Sequence, residues 1–159
     1  IRGPGVFSGY WQAPEINEKA FDAEGYFRSG DLFEIIHENG EDRYYRVVGR
    51  LKDIIVRSGM KISPLEIEEI IQEHPSVVEV AVIPHPHRTH GEISCACVVV
   101  AEGQTITLED VKTLLTDKKI ASFKLPEKLL IVNALPRNAV GKVMKSALID
   151  QLTDEEVGA

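Results

Sequence analysis

From Gly49 onward the apolar residues switch repeatedly between the spacing of a strand and the spacing of a helix. Few architectures accommodate that alternation apart from layered α/β or α+β folds. Residues 51–57 read as a short strand. Ser63-Pro64-Leu65-Glu66 is a well-formed helix start: Ser63 can cap, Pro64 suits the first helical position, and Glu66 completes a capping box. Ile67, Ile70 and Ile71 then give an apolar stripe at helical spacing, and Pro75 ends the helix. Residues 77–83 are rich in β-branched side chains and read as a strand, as do residues 92–101. Thr107 with Asp110 opens a second helix that carries Leu108, Val111, Leu114 and Leu115 on one face. Residues 129–132 give a further strand and 145–152 a short last helix. The expectation is an α+β unit over residues 50–159, a mixed sheet with flanking helices, of ordinary small-domain size.

The first fifty residues differ. They are rich in turns and aromatic rings, with Gly3-Pro4-Gly5, Tyr10, Trp11, Phe21, Tyr26, Phe27, Tyr44 and Tyr45. Two short β runs fit, 31–37 and 43–48, joined through Asn39-Gly40. That dipeptide signals a tight hairpin, because both central residues of a type I′ turn need positive φ. The segment holds few aliphatic residues for a core of its own and reads as part of a larger domain. The chain opens on Ile1 without Met, which fits a fragment.

Composition narrows the function classes. A formal net charge of −7 argues against nucleic acid or an anionic membrane as the main partner, since both reward basic surfaces. No apolar run approaches the roughly 18 residues of a membrane-spanning helix, and no leader peptide is visible. Cys95 and Cys97 sit two apart, would point the same way along a strand, and are poorly placed to bond with each other. A reducing compartment, the cytoplasm, is therefore expected. His85, His87, His90, Cys95 and Cys97 are residue types that hold zinc. However, Pro84 and Pro86 place the histidines in a loop while the cysteines lie mid-strand, so no metal site is expected.

Three stretches could carry chemistry. In Tyr26-Phe27-Arg28-Ser29-Gly30-Asp31 a carboxylate follows a glycine turn, where it could accept both hydrogen bonds of a vicinal diol or simply cap a strand. Residues 49–62 set Arg50, Lys52, Arg57, Lys61 and Asp53 around an apolar strand, with Gly49 and Gly59 near the ends. Arg50 could grip a phosphate and Gly59 could admit a ligand close to the backbone, or the charges could protect an edge strand. In residues 135–145 Lys142 follows Gly141 in a loop before a helix. This is no P-loop: Pro136 stands where its first glycine belongs, and Val143 replaces the metal-binding hydroxyl.

The order of these stretches resembles the adenylate-forming superfamily of acyl-CoA synthetases, aryl-acid ligases and luciferases. Gly9 to Glu15, Phe21-Asp22 and Gly25 to Leu32 are similar to the family's end-of-large-domain signature. Gly49-Arg50 to Gly59 with Pro64 to Glu68 is similar to its hinge and lid loop, and Pro136-Arg137 through Val143 to its terminal lysine motif. Ser122-Phe123-Lys124-Leu125-Pro126 and Gly91 to Ala96 lean toward its small aryl and cycloaliphatic acid ligases. The resemblance implies that residues 1–49 are a β-rich remnant of the large adenylation domain and residues 50–159 the carboxy-terminal lid.

It also implies an enzyme that activates a carboxylic acid with Mg-ATP, releases pyrophosphate, and passes the acyl group from AMP to CoA. By position, Asp31 would hold the ribose hydroxyls and Arg50 the ribose or phosphates. Lys52 would sit at the hinge, Ser58 and Gly59 would line the thiol tunnel, and Lys142 would bridge carboxylate and α-phosphate. Some relatives carry Lys where this chain has Val56, and some place an aromatic near CoA at the position of His90. Two alternatives stay open: loading of a carrier-protein thiol, or an isolated lid that only binds or self-associates. Self-association into a homo-oligomer would follow from exposure of Phe7, Tyr10, Trp11 and Phe21.

Overall fold

The computed structural model describes residues 1–157, with side chains through Gln151. It divides into two compact units, Ile1–Lys52 and the chain from Asp53 onward.

In the first unit, helix α1 (Pro14–Ala20) precedes a two-stranded antiparallel ribbon, β1 (Asp31–Glu38) and β2 (Glu41–Arg50). Asn39 and Gly40 join the strands with φ of 55° and 83°, the left-handed pair that a type I′ turn demands. The sequence reading does not anticipate α1, although Pro14 at its start and Glu15 in its first turn are ordinary helix-opening residues. Asn17 anchors it by a reciprocal pair of bonds: its Oδ1 accepts from the Tyr10 amide at 2.7 Å and its Nδ2 donates to the Tyr10 carbonyl at 2.9 Å.

Phe7, Tyr10, Phe21 and Phe27 gather with ring centroids 5.0 to 5.5 Å apart, in edge-on or tilted geometry. Phe21 is thus half-buried, contrary to the expectation that it is exposed, because two other phenylalanines cover it. Phe7, Tyr10 and Trp11 do remain exposed. Next to Phe21, the Asp22 carboxylate accepts the Tyr26 and Glu24 amides at 2.9 and 3.0 Å. Those bonds, the Tyr26 one foremost, hold its pKa below the ordinary carboxylate value.

The second unit is a five-stranded mixed sheet. Its order is β4 (Met60–Ile62), β3 (Ile55–Arg57), β6 (Gly91–Val100), β5 (Val77–His87), with β7 (Lys128–Ile131) parallel to β6 beside β3. The β6 to β7 connection runs through α3 (Leu108–Asp117), the crossover that parallel neighbours require. The period-two pattern of the long strands splits the core into two faces. Val82, Ala96 and Val98 pack with Ile67 and Ile71 of α2 (Pro64–Ile71) and with Val111 and Leu115 of α3. Ala81, Ile83, Cys95 and Cys97 face the other way, against Leu135 and Leu148, the latter on α4 (Lys145–Val157). Both cysteines are buried within that second face and neither forms a disulfide.

Three local expectations are corrected. Leu51–Asp53 form a single 3₁₀ turn rather than the start of a strand, and β3 begins only at Ile55. Ser63 makes no side-chain cap on α2. Glu66, its expected partner, is instead drawn to the Lys124 ammonium, which reaches both carboxylate oxygens at 2.9 and 2.7 Å. The third concerns Pro84 and Pro86, which lie within β5 rather than in a loop. Among the described residues β5 pairs with no strand but β6, so it lies at the sheet edge, and an edge strand tolerates missing N–H donors.

Candidate functional site

In the first unit, Asp31 opens β1 and Arg50 closes β2, and the register sets them directly opposite each other. Arg50 Nε lies 3.3 Å from Asp31 Oδ1, with both side chains partly open to solvent. Gly30 before Asp31 is left-handed at φ +75°, and its carbonyl accepts the Leu51 amide at 2.7 Å, closing the end of the ribbon. Ser29 Oγ accepts the Asp31 amide at 3.2 Å. The open end of the ribbon therefore presents one carboxylate that can accept from hydroxyls and one guanidinium that can donate to an anion. Lys52 follows at once, exposed, as the last residue of the first unit.

In the second unit, Ser58 and Gly59 are the two residues of the β3–β4 turn, between the paired residues Arg57 and Met60. Their φ values of 48° and 82° make this another doubly left-handed turn. A Cβ at Gly59 would meet nothing within 4 Å, so glycine is required there by conformation rather than by room. Ser58 tolerates the left-handed region because His90 pins it twice. Its amide donates to the His90 carbonyl at 2.8 Å, and its hydroxyl lies 2.9 Å from His90 Nδ1.

The histidines expected to be loop residues have partners of their own. His85 Nε2 lies 2.9 Å from Lys128 Nζ, and His87 Nδ1 accepts the amides of Thr89 and His90. Among the described residues, no group of three or more His, Cys, Asp or Glu side chains is placed to hold a metal ion.

Lys142 lies in a tight hairpin in which Arg137 and Val143 pair antiparallel. Asn138 organises the turn. Its Oδ1 accepts the Val140 amide at 3.1 Å and the Lys142 amide at 2.9 Å. Its backbone N–H donates to the Lys142 carbonyl at 2.9 Å, and its carbonyl accepts the Gly141 amide at 2.9 Å. Gly141 supplies the left-handed residue at φ +81°. Arg137 reinforces the loop from its side, one guanidinium nitrogen donating to the Gly141 carbonyl at 2.6 Å and the other to Glu79 on β5. Lys142 is exposed, and among the described residues its ammonium has no hydrogen-bond or ion-pair partner. The result is a cation, unpaired among the described residues, on a backbone turn that Asn138 and Arg137 hold by hydrogen bonds.

The structure thus joins Asp31 with Arg50, and Ser58 with Gly59, while Lys142 stands alone. The Ser58-Gly59 turn belongs to the β4–β3 edge of the sheet, and the Lys142 hairpin is tethered to β5 at the opposite edge. Sequence reading singles out Lys142 but not Asn138 or Glu79. An asparagine three residues before a glycine is a legible turn signal, whereas a tether 58 residues away leaves no local trace.

Residues 66–142 match the AMP-binding enzyme C-terminal domain. The chain is 40% identical over 148 residues to the medium-chain fatty-acid–CoA ligase of Escherichia coli K12, covering 92% of this chain and 25% of that protein. It is 43% identical over 147 residues to enterobactin synthase component E of the same organism, covering 92% of this chain and 26% of that one. Among solved structures, ATP-bound MatB from Rhodopseudomonas palustris superposes with a TM-score of 0.82 at 42% identity, covering 96% of this chain and 29% of that one. The chain spans about a quarter of the length of the curated relatives it matches. Among the described residues, no helix is long and apolar enough to cross a membrane. From the matched domain, the identities and the shared fold, the chain belongs to the adenylate-forming, AMP-binding enzyme family, as its C-terminal part.

Proposed function

We propose that this chain is the lid and adjoining hinge of an ATP-dependent acid–thiol ligase. In this reading residues 1–49 end the large domain, residues 50–159 form the lid, and Lys142 is the catalytic residue of adenylation. The observation that carries it is the Lys142 hairpin, a turn ordered by Asn138 whose ammonium has no partner among the described residues. Acid activation brings a carboxylate to a phosphate and adds negative charge to the α-phosphoryl oxygens in the transition state. A cation already in place stabilises that charge more than it stabilises the separated reactants.

The substrates in this reading are a carboxylic acid, ATP and CoA, with magnesium arriving as part of Mg-ATP. Asp31 accepts from the ribose hydroxyls and Arg50 donates to the nucleotide. Ser58 and Gly59 border the path of the thiol. The placement of Ser58 and Lys142 at opposite edges of one sheet supports two working poses, one for each half-reaction. Lys52, the last residue of the first unit, supports a hinge at that point. The buried side chains of Cys95 and Cys97, neither in a disulfide, support a reducing compartment such as the cytoplasm.

The test is a chimera in which this chain replaces the C-terminal quarter of the Escherichia coli medium-chain fatty-acid–CoA ligase. In that protein Lys142→Ala lowers pyrophosphate release by about a hundred- to a thousand-fold. Transfer to CoA from supplied acyl-AMP stays at the parent rate. Equal losses in both half-reactions would refute the role. Lys52→Pro fixes φ at the hinge and should separate the two steps, leaving one near normal and slowing the other. Parent rates for both would remove Lys52 from the hinge.

A further inference from the structure

The limbs of the Lys142 hairpin are each tied by an ion pair to an acidic residue of the sheet-and-helix body. On the entering limb, Arg137 holds the Gly141 carbonyl with one nitrogen and Glu79 of β5 with the other. Glu79 shares the strand face of Ala81 and Ile83, the face that packs against α4 and Leu135. On the leaving limb, Lys145 begins α4 only three residues after Lys142, and its ammonium lies 2.6 Å from Glu68 Oε1. The same Glu68 oxygen accepts the Val82 amide, on β5, at 2.6 Å. Both partners of this second pair are shielded, with side-chain exposures of 21% for Lys145 and 16% for Glu68. Such a pair is less screened than a surface one, and breaking it leaves a poorly solvated charge.

We infer that Glu79 and Glu68 are positioning residues for Lys142, acting through Arg137 and Lys145 from two sides of the hairpin. This rests on the adenylation role of Lys142 proposed above. The internal bonds of Asn138 fix the shape of the turn, but they do not fix where the turn points. That requires an external frame, and the two carboxylates supply it from β5 and α2. Two anchors on different elements restrain rotation as well as displacement, which is what a catalytic cation needs at ångström tolerance. Both acids lie far from Lys142 in sequence, and their ion pairs are with Arg137 and Lys145.

The experiment uses Glu79→Gln and Glu68→Gln. In Glu68→Gln the new side-chain amide keeps a carbonyl oxygen to accept the Val82 N–H, while the negative charge toward Lys145 is gone. In the intact 159-residue chain, backbone ¹⁵N order parameters at Val140 and Lys142 should fall from about 0.85 toward 0.6, while those of β6 stay unchanged. In the chimera, kcat for pyrophosphate release should fall about ten-fold with KM for ATP unchanged and acyl transfer unaffected. Parent-like order parameters together with parent-like kcat would overturn the inference, as would a uniform loss of order that includes β6. Lys142→Ala run alongside separates the two ideas. If it leaves adenylation intact the proposed role of Lys142 fails, and if it alone slows adenylation the positioning role fails.

Discussion

Asn138 illustrates how a single side chain sets the conformation of its neighbours. One carbonyl oxygen serves the amides of Val140 and Lys142, so the residues before and after Gly141 are ordered together. Asn138→Ala removes that acceptor at an exposed site where water can substitute. The stability loss should stay near about 1 kcal/mol, measured by urea unfolding. Adenylation in the chimera should drop by roughly five-fold or more, since the cation loses its fixed backbone. At this scale the sequence proposes Asp31, Arg50, Ser58, Gly59 and Lys142 through the family resemblance, and what the structure adds is local: the left-handed φ of Gly59 and Gly141 accounts for the glycines of two of those motifs. What is not legible are the partners reached through space, such as Glu79 for Arg137 and His90 for Ser58.

At the level of elements, the two expected capping boxes have opposite outcomes. At α3 the box forms in full: Thr107 Oγ1 accepts the Asp110 amide at 3.2 Å, and Asp110 Oδ2 accepts the Thr107 amide at 2.9 Å. At α2 the same pattern fails because Lys124, 58 residues away, competes for Glu66. Local sequence proposes a cap, and a long-range cation can overrule it. Thr107→Ala should therefore destabilise the chain by about 1 kcal/mol in thermal or urea unfolding. The Thr107 hydrogen bonds, the hydroxyl foremost, hold the Asp110 pKa below the ordinary carboxylate value. A depressed folded-state pKa means that this contribution is fully present above the unfolded carboxylate value. It is lost as pH falls through the depressed one. The stability difference between parent and Thr107→Ala should accordingly shrink on acidification below the carboxylate range. A difference that is constant with pH would remove Asp110 from the cap. Likewise the sequence pattern ends β5 before its prolines, yet the strand continues through them because, among the described residues, no further strand pairs with its outer edge.

Over the whole molecule, the alternation of strand and helix after Gly49 is sufficient to anticipate a mixed sheet with helices, and the two-faced core follows from the period-two strands. Strand order is not readable, because it depends on which edges meet. Ile67 is fully buried between α2 and the sheet, and Ile67→Ala should cost about 2–5 kcal/mol in urea unfolding. The first unit contrasts with this core: Trp11 is 89% exposed, and Phe33, Ile35, Tyr45 and Val47 along the ribbon are exposed as well. We expect the isolated chain to self-associate through these residues, giving a sedimentation coefficient that rises with concentration and rises less in Trp11→Ser. Strictly monomeric sedimentation would remove that expectation. The hairpin that carries Lys142 has one last consequence. Its hydrogen bonds and both its anchors close within the second unit, so the loop takes its shape when that unit folds. In the adenylation role proposed above, the entropy of arranging that loop would be lost once in the lifetime of the molecule and not again at every turnover.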